Sequence, residues 1–253
     1  MKKILLPSAF LSLALFAGCD TLNQISTTSS QTSTGSTGSA SSSGSITQSE
    51  ATTGIKQALS NGLTNSINAL SVKDGFLGNA AVKILMPKEA QNVEKALRSV
   101  GLGSLCDQFI TSLNRAAESA VKEAAPVFVN SLSQLTVQDA FNILLSGQQD
   151  AATSFFKRTT STTLTSKFSP IVQSALGKNN VNTYWTQLTS AYNNLPLTGN
   201  KVETDLNAYV TQKAIDGLFT RVAEEELKIR QNIGGARNSG ILDKVFGWVD
   251  NQK

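Results

Sequence analysis

Residues 205–232 read DLNAYVTQKAIDGLFTRVAEEELKIRQN, and this stretch decides the fold. No proline interrupts it. Leu206, Tyr209, Val210, Ala214, Leu218 and Val222 recur at steps of three and four, which puts them on one helical stripe. The spacing predicts the longest helix of the chain. Its second half turns to charge: Glu224, Glu225 and Glu226 are followed by Lys228 and Arg230. A helix apolar at one end and charged at the other is expected to leave the core or to enter a charged cavity.

Helical signals continue on both sides of this stretch. Downstream, Gly234-Gly235 is a stop, and Ser239 is placed to cap a last helix carrying Ile241, Leu242, Val245, Phe246, Trp248 and Val249. Upstream, Leu195-Pro196 closes a helix over 181–192. Ser169-Pro170 is expected to restart a short helix after a Thr-rich stretch. Asp150 is placed to cap the segment before it. Thr136-Val137-Gln138-Asp139 resembles a capping box with Asp in the usual Glu position. Ser104 is placed to cap a helix reaching about Ala124, and Pro126 stands near the next start. Earlier still, Asp74-Gly75-Phe76 marks a turn, 82–85 is irregular, and Ile55, Leu59, Leu63, Ile67 and Leu70 mark a first helix. Strand-type alternation is sustained nowhere. The reading is an all-α irregular multi-helix bundle over 54–253.

The front of the chain is different. Lys2 and Lys3 precede thirteen mostly apolar residues, Ile4 to Phe16. That is too short to span a bilayer, which takes about 20 residues. It reads as a secretory signal over 1–18. Ala17-Gly18-Cys19 resembles a lipobox, with Phe16 where Leu is usual. The resemblance implies cleavage before Cys19 and acylation of its sulfur and amino group. Asp20 follows, and the choice between inner and outer membrane stays open. Residues 20–53 hold 20 Ser or Thr among 34, with only Asp20 and Glu50 charged. Such a segment cannot bury enough apolar surface to offset its ordering entropy, so 19–53 is expected to be a disordered tether.

Several chemistries are excluded. The chain has no His, which removes Ser-His and Cys-His catalysis and His-ligated zinc. From residue 54 onward 20 Lys/Arg face 16 Asp/Glu, and no basic run is interleaved with aromatics, so nucleic acid is not an expected partner. Cys106 is left alone once Cys19 is acylated, and it reads as a small buried residue. Ser154-Phe155-Phe156-Lys157 matches S-x-x-K, but the companion motifs of penicillin-binding enzymes are missing. No cofactor or metal is expected.

Charges on apolar helical faces are the candidate site. Arg115 with Glu118, and Glu226 with Arg230, sit at helical spacing. Asp139, Asp150, Arg158, Asp216 and Arg237 stand beside apolar or turn residues. Arg115, Glu118, Glu226 and Arg230 are expected to form a buried polar network, and Asp139 and Asp150 to be N-caps.

Six motifs bear a resemblance to one family. They are DGFLGN at 74–79, NRAAE at 114–118, TVQDA at 136–140, DAAT at 150–153, AIDGLF at 214–219 and DKVFG at 243–247. Together they resemble a bacterial lipoprotein family with a domain of unknown function, number four-one-nine-seven. That resemblance covers nearly all of 55–247. It implies a secreted all-α domain and supplies no activity. Two departures stand out: Gln149 replaces a family carboxylate before Asp150, and Ile215 replaces Leu.

Two functions are weighed. The first is a lipid-anchored, periplasm-facing domain that binds an envelope protein or an apolar ligand. The second is a hydrolase or lyase near the long C-terminal helix. It requires Glu118, Asp150, Arg158 and Glu226 to converge on one open cleft.

Overall fold

The computed structural model describes residues 45–195 and 204–252. Residues 1–44, with the signal, Cys19, Asp20 and most of the tether, lie outside the described residues, as does Pro196. The described chain is all-α and contains no strand. Its helices are α1 (Gln48–Leu70), α2 (Gln91–Ser99), α3 (Gly103–Val121), α4 (Ala124–Ser133), α5 (Val137–Leu145), α6 (Ala151–Lys178), α7 (Val181–Asn193), α8 (Leu206–Gln231) and α9 (Gly240–Asp250). None is long and apolar enough to cross a membrane.

The decisive stretch is α8. Asp205 caps its start by accepting from the Ala208 N–H at 2.9 Å. Asn232 ends it in the left-handed region at φ 51°, the usual end for a helix lacking glycine at that place. Three helices, α1, α3 and α6, pack around it. That is why its buried surface is wider than the stripe in the sequence: Ile215, Gly217 and Phe219 are buried too. On one side α2 and α7 cover α3, and Phe109 stacks on Trp185 with centroids 5.3 Å apart. On the other, α4, α5 and α9 cover α1. Phe128 meets Phe156 and Phe219 edge-on at 5.4 and 6.1 Å, which ties α4 to α6 and α8.

Four expectations need correcting. First, α1 begins at Gln48, so residues 48–53 belong to the folded body and not to the tether. Thr47 and Glu50 form a reciprocal capping box there, and Ala51 is buried. Second, α6 runs through Pro170 without a break and is the longest helix, at 28 residues against 26 for α8. Pro170 removes one N–H donor, but Phe168 and Val172 on either side of it are fully buried. That packing offsets a local cost of about 3 kcal/mol. The Thr and Ser hydroxyls of the same helix donate back to carbonyls one turn earlier, as Thr160 does to Phe156 at 2.7 Å, so they fit inside it. Third, Ser104 lies within the first turn of α3, and the cap position is Leu102, with no side-chain hydrogen bond. Fourth, Asp150 occupies the cap position of α6 but makes no capping bond.

Candidate functional site

The charged end of α8 neither leaves the core nor opens into a cavity. Glu225, Glu226 and Arg230 are buried. Glu226 performs the capping that Asp150 does not. Its carboxylate accepts from the Ala152 N–H at 2.9 Å, and from the N–H and hydroxyl of Thr153, each at 2.8 Å. Those are the orphan donors of the first turn of α6. Arg230 lies one turn further along α8. It donates through Nε and one terminal nitrogen to the same carboxylate, at 2.9 and 2.8 Å. That terminal nitrogen also reaches the Ile143 carbonyl at 2.9 Å, near the end of α5. One ion pair therefore closes both sides of the α5–α6 turn. Its signs are right for both helix dipoles, an anion at an N-terminus and a cation at a C-terminus.

The neighbouring Glu225 points toward α1. It accepts from Lys228 at 2.6 Å, Arg221 at 3.3 Å and Asn65 at 3.1 Å. Burial alone would raise its pKa, but the hydrogen bonds from Lys228 and Asn65 and the charges of Lys228 and Arg221 outweigh that, and it is lowered. Gly62 leaves the space: a Cβ there would sit 3.3 Å from the Glu225 Cβ.

The NRAAE segment on α3 holds a different element, the loop between α1 and α2. The Asn114 carboxamide accepts the Ile84 N–H at 2.9 Å and donates to the Ile84 carbonyl at 2.8 Å. This is the pairing that a neighbouring strand would offer. Glu118 accepts the Phe76 N–H at 3.2 Å. Arg115 bridges Glu118 at 2.8 Å and Asp74 at 2.7 Å. Burial pulls the Arg115 pKa down, but its two carboxylate partners pull harder, and it is raised. Asp74 sits in the left-handed region at φ 66°. The loop drives Phe76 into the core against Gly217 of α8, where a Cβ would come within 2.6 Å of the ring.

The remaining predicted residues separate. Asp139 completes the Thr136 capping box, as expected. Asp150 is exposed. Asp216 accepts from Gln212 on its own helix at 3.0 Å. Arg237 closes the end of α8, donating to the carbonyls of Ile229 and Arg230 and pairing with Asp250 of α9 at 2.7 Å. Arg158 lies over the Phe155 ring, 5.7 Å from its centroid.

The expected single network is therefore two separate clasps. Glu226 and Arg230 hold the α5–α6 turn, and Arg115 and Glu118 hold the α1–α2 loop. Nor do Glu118, Asp150, Arg158 and Glu226 line a common cleft among the cavities described. Glu118 borders a shallow cleft of about 220 Å³, Glu226 an enclosed space of about 10 Å³, and Arg158 a third cavity. Sequence reading missed Asn114, Glu225, Arg221 and Asp74. Asn114 had a local signal, an amide among residues that pack in the core, and Arg221 and Glu225 stand at i,i+4 spacing; nothing local ties Asp74 to Arg115. No group of three or more potential metal-binding side chains occurs among the described residues.

The profile of a family described as Protein of unknown function (DUF4197) matches residues 45–247. No curated protein and no solved structure matches the chain.

Proposed function

We propose that this chain, which belongs to the DUF4197 family, is a membrane-anchored, periplasm-facing lipoprotein whose helical domain acts by binding and not by catalysis. The location rests on Lys2-Lys3, the apolar run and Ala17-Gly18-Cys19. Three acyl chains on one Cys would hold almost permanently, at about 0.8 kcal/mol per buried CH₂.

One observation carries the non-catalytic half. The buried carboxylates that sequence reading put forward for acid–base work are consumed by backbone N–H donors and guanidiniums. Glu226 takes five hydrogen bonds in this way. A general acid or base needs access to its substrate. The enclosed space beside Glu226 holds no more than a water-sized guest. This favours binding on the exterior, to another envelope component, over an apolar ligand lodged between helices.

The test is metabolic labelling with an alkyne fatty acid in cells making the wild type or Cys19→Ala. Label and membrane fractionation are expected for the wild type and lost in the variant. A wild type that stays unlabelled and soluble sinks the proposal.

A further inference from the structure

The cleft between α4, the start of α5 and α6 differs from the others. It encloses about 470 Å³, and its walls include Asn130 and Gln134 from α4, Asp139 from α5, and Phe155, Arg158 and Thr163 from α6. Among the described residues, no hydrogen bond or ion pair engages the carboxamides of Asn130 and Gln134, the Thr163 hydroxyl or the Arg158 guanidinium. Arg158 rests only on the Phe155 ring. Asp139 uses Oδ2 in its capping box, and Oδ1 stays open. In the cleft over α3 most of the polar groups are already engaged, the hydroxyls of Thr111 and Tyr184 excepted. There Asp107 pairs with Arg98, Gln108 with Ser104, Ser112 with the Phe109 carbonyl, and Asn179 with the Ala175 carbonyl.

A hydroxyl relay forms the back of the cleft. Thr159 lies 3.0 Å from the Phe155 carbonyl and 3.3 Å from the Ser131 hydroxyl; with its proton on the carbonyl, Thr159 accepts from Ser131. The Ser131 oxygen keeps its own acceptor capacity toward the cavity.

We infer that this cleft binds a neutral saccharide. Its open groups are three planar forks, two carboxamides and one guanidinium, each able to span two neighbouring hydroxyls, and one carboxylate oxygen, Oδ1 of Asp139, that accepts from a single hydroxyl. Sugar hydroxyls both donate and accept, which a mixed set of this kind requires. The charges of Asp139 and Arg158 cancel, so the cleft carries no net attraction for an ion. The partly buried Phe155 adds apolar surface beside these groups, against which the C–H groups of a pyranose can rest. Arg158 and Asp139, two sequence candidates that neither clasp uses, find a role here.

The inference rests on the binding reading and is independent of the lipid anchor. The test is ligand-observed NMR on the full chain in detergent micelles, with three probes: an N-acetylglucosamine trimer, a glucose trimer and an alanine dipeptide. Saturable binding of a trimer is expected. Arg158→Ala and Asn130→Ala are each expected to weaken it about tenfold or more. Lys122→Ala, beside another cleft, is expected to leave it unchanged. Circular dichroism checks that each variant is folded. Binding of neither trimer up to millimolar concentration overturns the inference, as does trimer binding indifferent to Arg158 and Asn130. Dipeptide binding without trimer binding overturns it in favour of a zwitterion spanning Arg158 and Asp139. Any of these results leaves the fatty-acid labelling of Cys19 unaffected, so the two failures are distinguishable.

Discussion

Glu226 caps a helix to which it does not belong: its carboxylate takes both the N–H and the hydroxyl of Thr153, 73 residues away in the chain. Truncating Glu226→Ala leaves Arg230 buried without its partner and strips the first turn of α6. A loss of about 3–5 kcal/mol is expected, as for breaking other buried pairs. Asp150→Ala, at the nominal cap position, is expected to change stability by less than about 0.5 kcal/mol. Urea unfolding of the two variants checks this. Equal losses would mean that Asp150 shares the capping.

Asn114→Ala leaves the N–H and carbonyl of Ile84 without partners in a buried place. At roughly 1–3 kcal/mol for each orphaned group, a loss of about 2–6 kcal/mol is expected. Hydrogen exchange should show the Ile84 amide unprotected in the variant while α8 stays protected. Unchanged protection at Ile84 would show that the loop is held without Asn114.

Gly217→Ala tests sterics against propensity. Alanine favours a helix interior by about 1 kcal/mol over glycine. Here its Cβ would meet the buried Phe76 ring at 2.6 Å. Overpacking of that kind costs about 1–3 kcal/mol, so a lower melting temperature is expected. A raised one would show that Phe76 can shift at little cost.

Acid should weaken the fold through two carboxylates. Lys244 and the Thr47 N–H hold Glu50 down at about 2, and Glu225 is lowered as well. In the unfolded chain both titrate at about 4.3. Between those values the unfolded chain binds more protons, so stability falls as pH falls. The contribution is complete above about pH 5 and is lost toward pH 2. Urea midpoints at pH 7, 4 and 3 should decline in order, less steeply for Glu225→Gln. The exposed share from Glu50 should shrink in 1 M salt (about 3 Å screening length). A midpoint flat across this range would refute both pairings.

Cys106 is fully buried, and burial raises its thiol pKa. Iodoacetamide is expected to label it only after denaturation. Prompt labelling of the native protein would place it at the surface.

Elements with local signals were legible in the sequence. The Thr136–Asp139 box, the Ser239 cap and the Asp205 start each follow from a polar residue three places before its partner. Thr47–Glu50 carried the same signature, but the Ser/Thr composition around it hid the start of α1. Pro170 misled because its local cost is outweighed by burial against elements distant in the chain. The cap of α6 misled for the same reason, since the residue that fills it lies on α8. Periodicity shows which charges share a face, but not whose backbone they will satisfy. Spacing alone therefore reads two clasps as one network.

The first and last helices touch: Val245 of α9 fills the space that a side chain at Gly54 would need, and Lys244 pairs with Glu50 at 2.6 Å. A chain made or exported front first therefore cannot finish the surroundings of its opening helix until its final turn has emerged. Until then only the α9-facing side of α1 stays uncovered. A premature stop ahead of residue 240 would therefore leave uncovered the part of α1 around Gly54 and Glu50 that α9 covers.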